Sequence, residues 1–118
     1  MKTGFLYDPR YLLHRTGQGH PECPERLQFV ISHLGRLPWF DRLAGVSSRL
    51  AETKWIEAVH AQAYIRRVQA ACRQGLSILD TPDVGICRDS FDVALLAAGG
   101  ALELADQMMK GNIQNGFA

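Results

Sequence analysis

The chain has 118 residues, 47% hydrophobic and 21% charged, with a formal net charge of +1 at pH 7. That length suits one small domain with its own core. The near-neutral balance argues against a nucleic-acid or anionic-membrane partner, and no run of 18 apolar residues offers a membrane span. Three cysteines, Cys23, Cys72 and Cys87, are an odd number without CxxC spacing and point to a reduced, cytoplasmic setting. The opening Met1-Lys2-Thr3-Gly4-Phe5-Leu6-Tyr7-Asp8 has too short an apolar run and too early an acid for a signal peptide.

Thr3 to Tyr7 reads as a first strand, closed by the turn at Asp8-Pro9. Arg15 to Pro21 reads as loop, because two glycines and a proline disfavour regular structure. Pro24 suits a first helical turn, where its missing N–H costs nothing. Leu27, Val30, Ile31 and Leu34 then form one apolar helical face, ended by Gly35 and Pro38. Ala44 to Leu50 alternates weakly and is expected as a second strand. Thr53 is expected to cap a helix bearing Trp55, Ile56 and Val59. Tyr64, Ile65, Val68 and Cys72 continue a helical stripe that Gly75 closes.

Leu76 to Arg88 reads as a loop with two carboxylates, Asp80 and Asp83. Asp89 or Ser90 is expected to cap a helix reaching about Lys110. Its stretch Val93 to Leu102 has no polar side chain, and a helix apolar all round is expected to be buried on more than one side. Gly99-Gly100 disfavours helix by roughly 1 kcal/mol per residue, tolerable where another backbone packs closely. Asn115 to Ala118 resembles the turn into a further strand. One strong helix and two or three weak strands imply a folding unit that depends on more protein for burial.

The densest chemistry lies in His20-Pro21-Glu22-Cys23-Pro24-Glu25-Arg26-Leu27. His14, His20, Cys23 and His60 carry zinc-type donors, but only His20 and Cys23 are closely spaced, and the preferred reading is loop and capping residues without metal. Cys23 before a helix N-terminus suggests a low thiol pKa, yet no orienting acid can be named for a nucleophile. Asp80 and Asp83 offer paired carboxylates, with a solvated turn as the simpler account. Arg26 can pair with Glu22 or Asp8, or present its fork to a carboxylate ligand.

Gly4-Phe5-Leu6-Tyr7-Asp8, His14 and the His20–Leu27 block resemble the opening of the zinc-dependent deacetylases. These are the class II-like histone deacetylases, acetylpolyamine amidohydrolases and acetoin-utilisation proteins. Val59-His60 with Tyr64-Ile65, and Asp83 through Ala94-Leu95-Leu96-Ala97-Ala98-Gly99-Gly100-Ala101-Leu102, resemble the blocks that follow.

The resemblance implies an arginase-like three-layer α/β fold with a parallel sheet, of which residues 1–118 would hold the N-terminal strands and helices. It implies hydrolysis of an N-acetyl amide by zinc-bound water, with a histidine pair and a tyrosine assisting. Asp83 would be the rim carboxylate that receives the substrate backbone, with Asp80 the weaker candidate. His20 and Pro21 would shape the pocket mouth, Arg26 would face an internal channel, and Cys23 would have no catalytic role. The family's adjacent histidines, zinc-ligand motif and tyrosine have no counterpart in these residues. Zinc is therefore expected in the complete family domain and not on this segment.

The expected function is an N-terminal deacetylase segment, not catalytic alone. Its partners would be an acetylated amine substrate in the complete protein, and the remainder of the domain or a second copy. The alternative is a non-enzymatic, oligomeric binding or regulatory remnant.

Overall fold

The computed structural model describes residues 2–118. In chain order it holds β1 (Thr3–Leu6), α1 (Pro24–Leu34), β2 (Ala44–Val46), α2 (Thr53–Glu57), α3 (Gln62–Gln74), α4 (Ser90–Met109) and β3 (Asn115–Phe117), with short 3-10 turns at Pro9–Leu13 and Phe40–Arg42. The strands form one parallel sheet in the order β2-β1-β3, with Gly4 opposite both Ala44 and Gly116. Parallel pairing requires crossover connections; α1 lies in the first, and α2, α3 and α4 lie in the second.

Side chains alternate across β1. Leu6 faces α4 and packs with Leu104 and Ile113. Phe5 faces the other way, its ring 5.1 Å from Phe40 and 4.9 Å from Phe117. On that side Leu27, Val30, Ile31 and Leu34 line a cleft together with Phe5, Tyr7 and Phe117. The apolar face read from the sequence is thus the face that α1 turns to the sheet, and helices lie on both sides of it.

The glycine pair of α4 has the close backbone neighbour that its helical position called for. A Cβ on Gly99 would lie 1.8 Å from the Arg49 carbonyl oxygen and 2.6 Å from the Ala51 nitrogen. The segment Ser48–Ala51 runs along the helix and is bonded to it: Ala51 N–H donates to the Leu95 carbonyl at 2.9 Å, and Ser48 Oγ donates to the Leu96 carbonyl at 2.8 Å. Arg49 bridges Glu103 and Asp106, each at 2.8 Å.

Three local expectations change. Glu52, not Thr53, occupies the N-cap position of α2, and Thr53 is already helical. Asp89 stands at the N-cap of α4 without a side-chain capping bond. The third concerns the apolar stretch of α4. Leu96, Gly99, Gly100 and Leu104 are buried, whereas Ala94, Ala97 and Ala101 are exposed on another face. Within this chain α4 is covered on one side, because methyl-sized side chains leave little apolar area uncovered there.

A second core joins α3 to the start of α4. Ala71, Cys72, Leu79 and Ile86 are buried together, with Val68 and Phe91 against them.

Gly99→Ala is expected to lower stability by about 1–2 kcal/mol, because overpacking against a backbone at 1.8 Å falls at the upper end of the usual cost of about 1–3 kcal/mol and outweighs the roughly 1 kcal/mol gain in helix propensity. Ala101→Gly, on the exposed face, should cost only about 1 kcal/mol. Urea unfolding of the two variants checks both values, and a stabilised Gly99→Ala would refute the close approach.

Candidate functional site: two loops joined at their tips

Leu76 to Arg88 is a small hairpin rather than an open loop. Ile78 and Gly85 form an antiparallel bridge, Leu79 N–H donates to the Val84 carbonyl at 2.9 Å, and Ile86 N–H donates to the Ser77 carbonyl at 3.0 Å. Asp80-Thr81-Pro82-Asp83 is its tip, with Asp80 in the left-handed region at φ 60°.

The N-terminal loop lies along this hairpin and the first turn of α4, and touches them at four levels. His14 Nδ1 is 2.7 Å from Ser90 Oγ. Cys87 Sγ is 3.2 Å from the Leu13 carbonyl oxygen and accepts the Arg15 N–H at 3.3 Å. Gly85 is pressed against Thr16, where a Cβ would fall 2.6 Å from the Thr16 carbonyl oxygen. At the tip, His20 Nε2 is 3.0 Å from the Asp83 carbonyl oxygen. Glu22 N–H donates to His20 Nδ1 at 3.0 Å. That bond fixes the tautomer, so Nε2–H donates to Asp83.

The two carboxylates of the tip have different partners. Asp80 forms an ion pair with Arg67 of α3, whose guanidinium lies over the Tyr64 ring at 5.2 Å. Asp83 accepts a hydrogen bond from the Thr81 hydroxyl, which is the main reason its carboxyl is held below the usual range. Asp83 is exposed and stays ionised in neutral water, with its own backbone held by His20.

Arg26 takes Glu22 as its partner, at 2.6 Å, with 60% of its side chain accessible. Asp8, the other partner offered by the sequence, is taken by Arg10 through Nε at 2.9 Å and Nη2 at 2.6 Å, which holds the Asp8 carboxyl low. Pro21 is exposed beside His20.

The candidate metal donors do not converge. His60 is exposed beside Tyr64, and Cys23 stands at the N-cap of α1 without a side-chain capping bond. Among the described residues no three of His, Cys, Asp and Glu stand together as a metal-binding group. The residues present do not fit a zinc ion, which takes four donors in a closed site or three in a catalytic one.

Sequence reasoning singled out His20 and Asp83, and the fold brings them together across 63 residues. It missed the cluster of His14, Cys87 and Ser90. Residues 76 apart in the chain carry no local signal of contact.

A parallel sheet flanked on both faces by helices, with loops gathered beside the start of α4, defines a partial α/β domain of the deacetylase type. The histone deacetylase domain profile matches residues 20–118. The chain belongs to the histone deacetylase family and corresponds to an N-terminal segment of its domain. A probable deacetylase of Archaeoglobus fulgidus is 32% identical over 100% of this chain and 33% of that protein. The human polyamine deacetylase HDAC10 is 30% identical over 100% of the chain and 19% of its own length. The solved HDA15 HD domain superposes with a TM-score of 0.89 at 30% identity, covering 99% of this chain and 34% of that one. The chain spans about a third or less of these relatives.

His20→Ala is expected to speed amide hydrogen exchange at Asp83 and Val84 while changing global stability by less than about 1 kcal/mol, the worth of one exposed hydrogen bond. Unchanged exchange in the hairpin tip would show that His20 does not hold it.

Proposed function

We propose that this chain supplies one wall of the substrate pocket in a deacetylase that hydrolyses N-acetyl amides of the acetyl-lysine or acetylpolyamine type. Membership of the histone deacetylase family supports the reaction class. The observation that carries the reading is the bond between His20 and Asp83, which joins the two candidate mouth loops. In this reading Asp83 receives the N–H groups of the acetylated substrate. His20 and Pro21 form the adjoining lip, and Arg26, released from Glu22, lines an internal channel. The zinc and the groups that move protons belong to the rest of the domain. The three unpaired thiols accord with a reducing, cytoplasmic setting.

The purified chain, given zinc and an acetyl-lysine peptide or an acetylated polyamine, is expected to yield no turnover above the blank; turnover that survives purification would overturn this division of labour. Grafted in place of the matching segment of a deacetylase relative, the chain should support turnover. In that graft Asp83→Ala should lower kcat/KM at least tenfold, or about 1.4 kcal/mol, and Asp80→Ala less than threefold. Equal effects at the two positions would count against Asp83 as the rim carboxylate.

A second reading, a non-enzymatic remnant that self-associates, draws on the uncovered apolar side chains. Phe29 is 75% exposed, Val59 79% and Met109 88%, and large apolar patches mark interaction surfaces. Size-exclusion chromatography with light scattering separates the cases: a stable dimer with no turnover in the graft favours the remnant, and a monomer dismisses it.

A further inference from the structure

The seam between the two loops gathers nucleophilic and titratable side chains that the deacetylase reading does not use. Ser90, buried in the first turn of α4, accepts the Cys87 N–H at 2.8 Å. Its Oγ lies 3.4 Å from Cys87 Sγ and 2.7 Å from His14 Nδ1. The Arg15 N–H donates to the same sulfur at 3.3 Å. Cys87 precedes by three residues the positive end of a 20-residue helix, an environment that favours a thiolate.

Cys87 is partly accessible, which distinguishes it from its neighbour Cys72, only 1% exposed, where burial pushes the thiol up. At Cys87 burial also acts upward. The Ser90 hydroxyl and the Arg15 and Asp89 backbone N–H groups outweigh it and hold the thiol below its ordinary value, against opposition from the Asp89 carboxylate. The charged or titratable groups facing the sulfur are thus Asp89, Cys72 and, through Ser90, His14. When Cys87 is protonated its S–H donates to the Leu13 carbonyl at 3.2 Å. Ionisation exchanges that bond for donors from Ser90 and Arg15.

We propose that Cys87, Ser90 and His14 form a reactive-thiol site that takes hydroperoxides, and that oxidation there parts the two loops. The Cys87 S–H turns from the Leu13 carbonyl to Ser90, 3.4 Å away, and its proton passes through Ser90 to His14. The sulfur attacks the distal peroxide oxygen, so that an S–O bond forms as the O–O bond breaks. Sulfur loses two electrons and the peroxide gains them. The departing hydroxide or alkoxide takes the proton back from the His14 imidazolium, leaving a sulfenic acid and water or an alcohol. The new oxygen occupies the space between Cys87 and Leu13–Arg15, so the hairpin bearing Asp83 loses that attachment. This site uses none of the pocket residues, and its test is independent of any deacetylase assay.

The test uses the full 118-residue chain. Alkylation by iodoacetamide across a pH series, followed cysteine by cysteine by peptide mass spectrometry, should modify Cys87 at least tenfold faster than Cys23 or Cys72 at pH 7. Its midpoint should fall below about 8.5, the ordinary thiol value. Hydrogen peroxide with dimedone should tag Cys87, and amide exchange at residues 79–86 should quicken after oxidation. His14→Gln, which keeps a hydrogen bond but cannot carry the proton, should slow dimedone tagging at least fivefold. Ser90→Ala should raise the alkylation midpoint. Cys87 reacting no faster than Cys23 in the unaltered protein would overturn the site, whether or not the variants fold. Unchanged exchange after oxidation would overturn the parting of the loops.

Discussion

The fold depends on one close approach, the backbone of Ser48–Ala51 laid against Gly99 and Gly100 of α4. Contact at this distance needs the absence of a Cβ, since even an alanine at position 99 would meet the Arg49 carbonyl at 1.8 Å. The approach ties the chain leaving β2 to the longest helix, and the same helix packs Leu104 against Leu6 and Ile113 beneath the sheet. Three strands of three or four residues each are too short to set their own positions. They are placed by their pairing with one another and by α4, which packs against β1 and β3.

The same helix organises the candidate site from its other end. Its first turn carries Ser90, which holds His14 and Cys87, and the hairpin that precedes it carries Asp83. The N-terminal loop is therefore anchored at its base by a buried hydroxyl and at its tip by the exposed bond from His20 to the Asp83 carbonyl. Buried hydrogen bonds hold geometry more firmly than exposed ones, because breaking them leaves a polar group without water. The base of the seam is the firm part and the tip the adaptable part.

The two carboxylates of the hairpin tip illustrate how partners decide roles. Asp80 and Asp83 are three residues apart and chemically identical, yet Asp80 is engaged by Arg67 while Asp83 keeps its carboxylate beside a neutral hydroxyl. Arg26 had two candidate partners in the sequence, Glu22 and Asp8, and takes Glu22, four residues back. A ligand role for Arg26 in a larger domain therefore requires that this exposed pair open, which costs little because exposed ion pairs contribute at most about 1 kcal/mol.

Local patterns in the chain were enough for a first strand over Thr3–Tyr7, observed as Thr3–Leu6, for the proline start of α1, the glycine ends of α1 and α3, and the need for a close neighbour at Gly99-Gly100. Each is a local matter of backbone freedom, missing donors or apolar period. The sequence by itself also carried the family, because the His20–Leu27 block and the alanine-glycine helix are contiguous patterns. Tertiary structure alone decided that Glu52 rather than Thr53 begins α2, that α4 shows an alanine face to solvent, and that Leu76–Arg88 closes into a hairpin. Only the fold could join His20 to Asp83 and His14 to Ser90 and Cys87. Contacts across more than 60 residues depend on how layers stack, and no spacing within the chain encodes them.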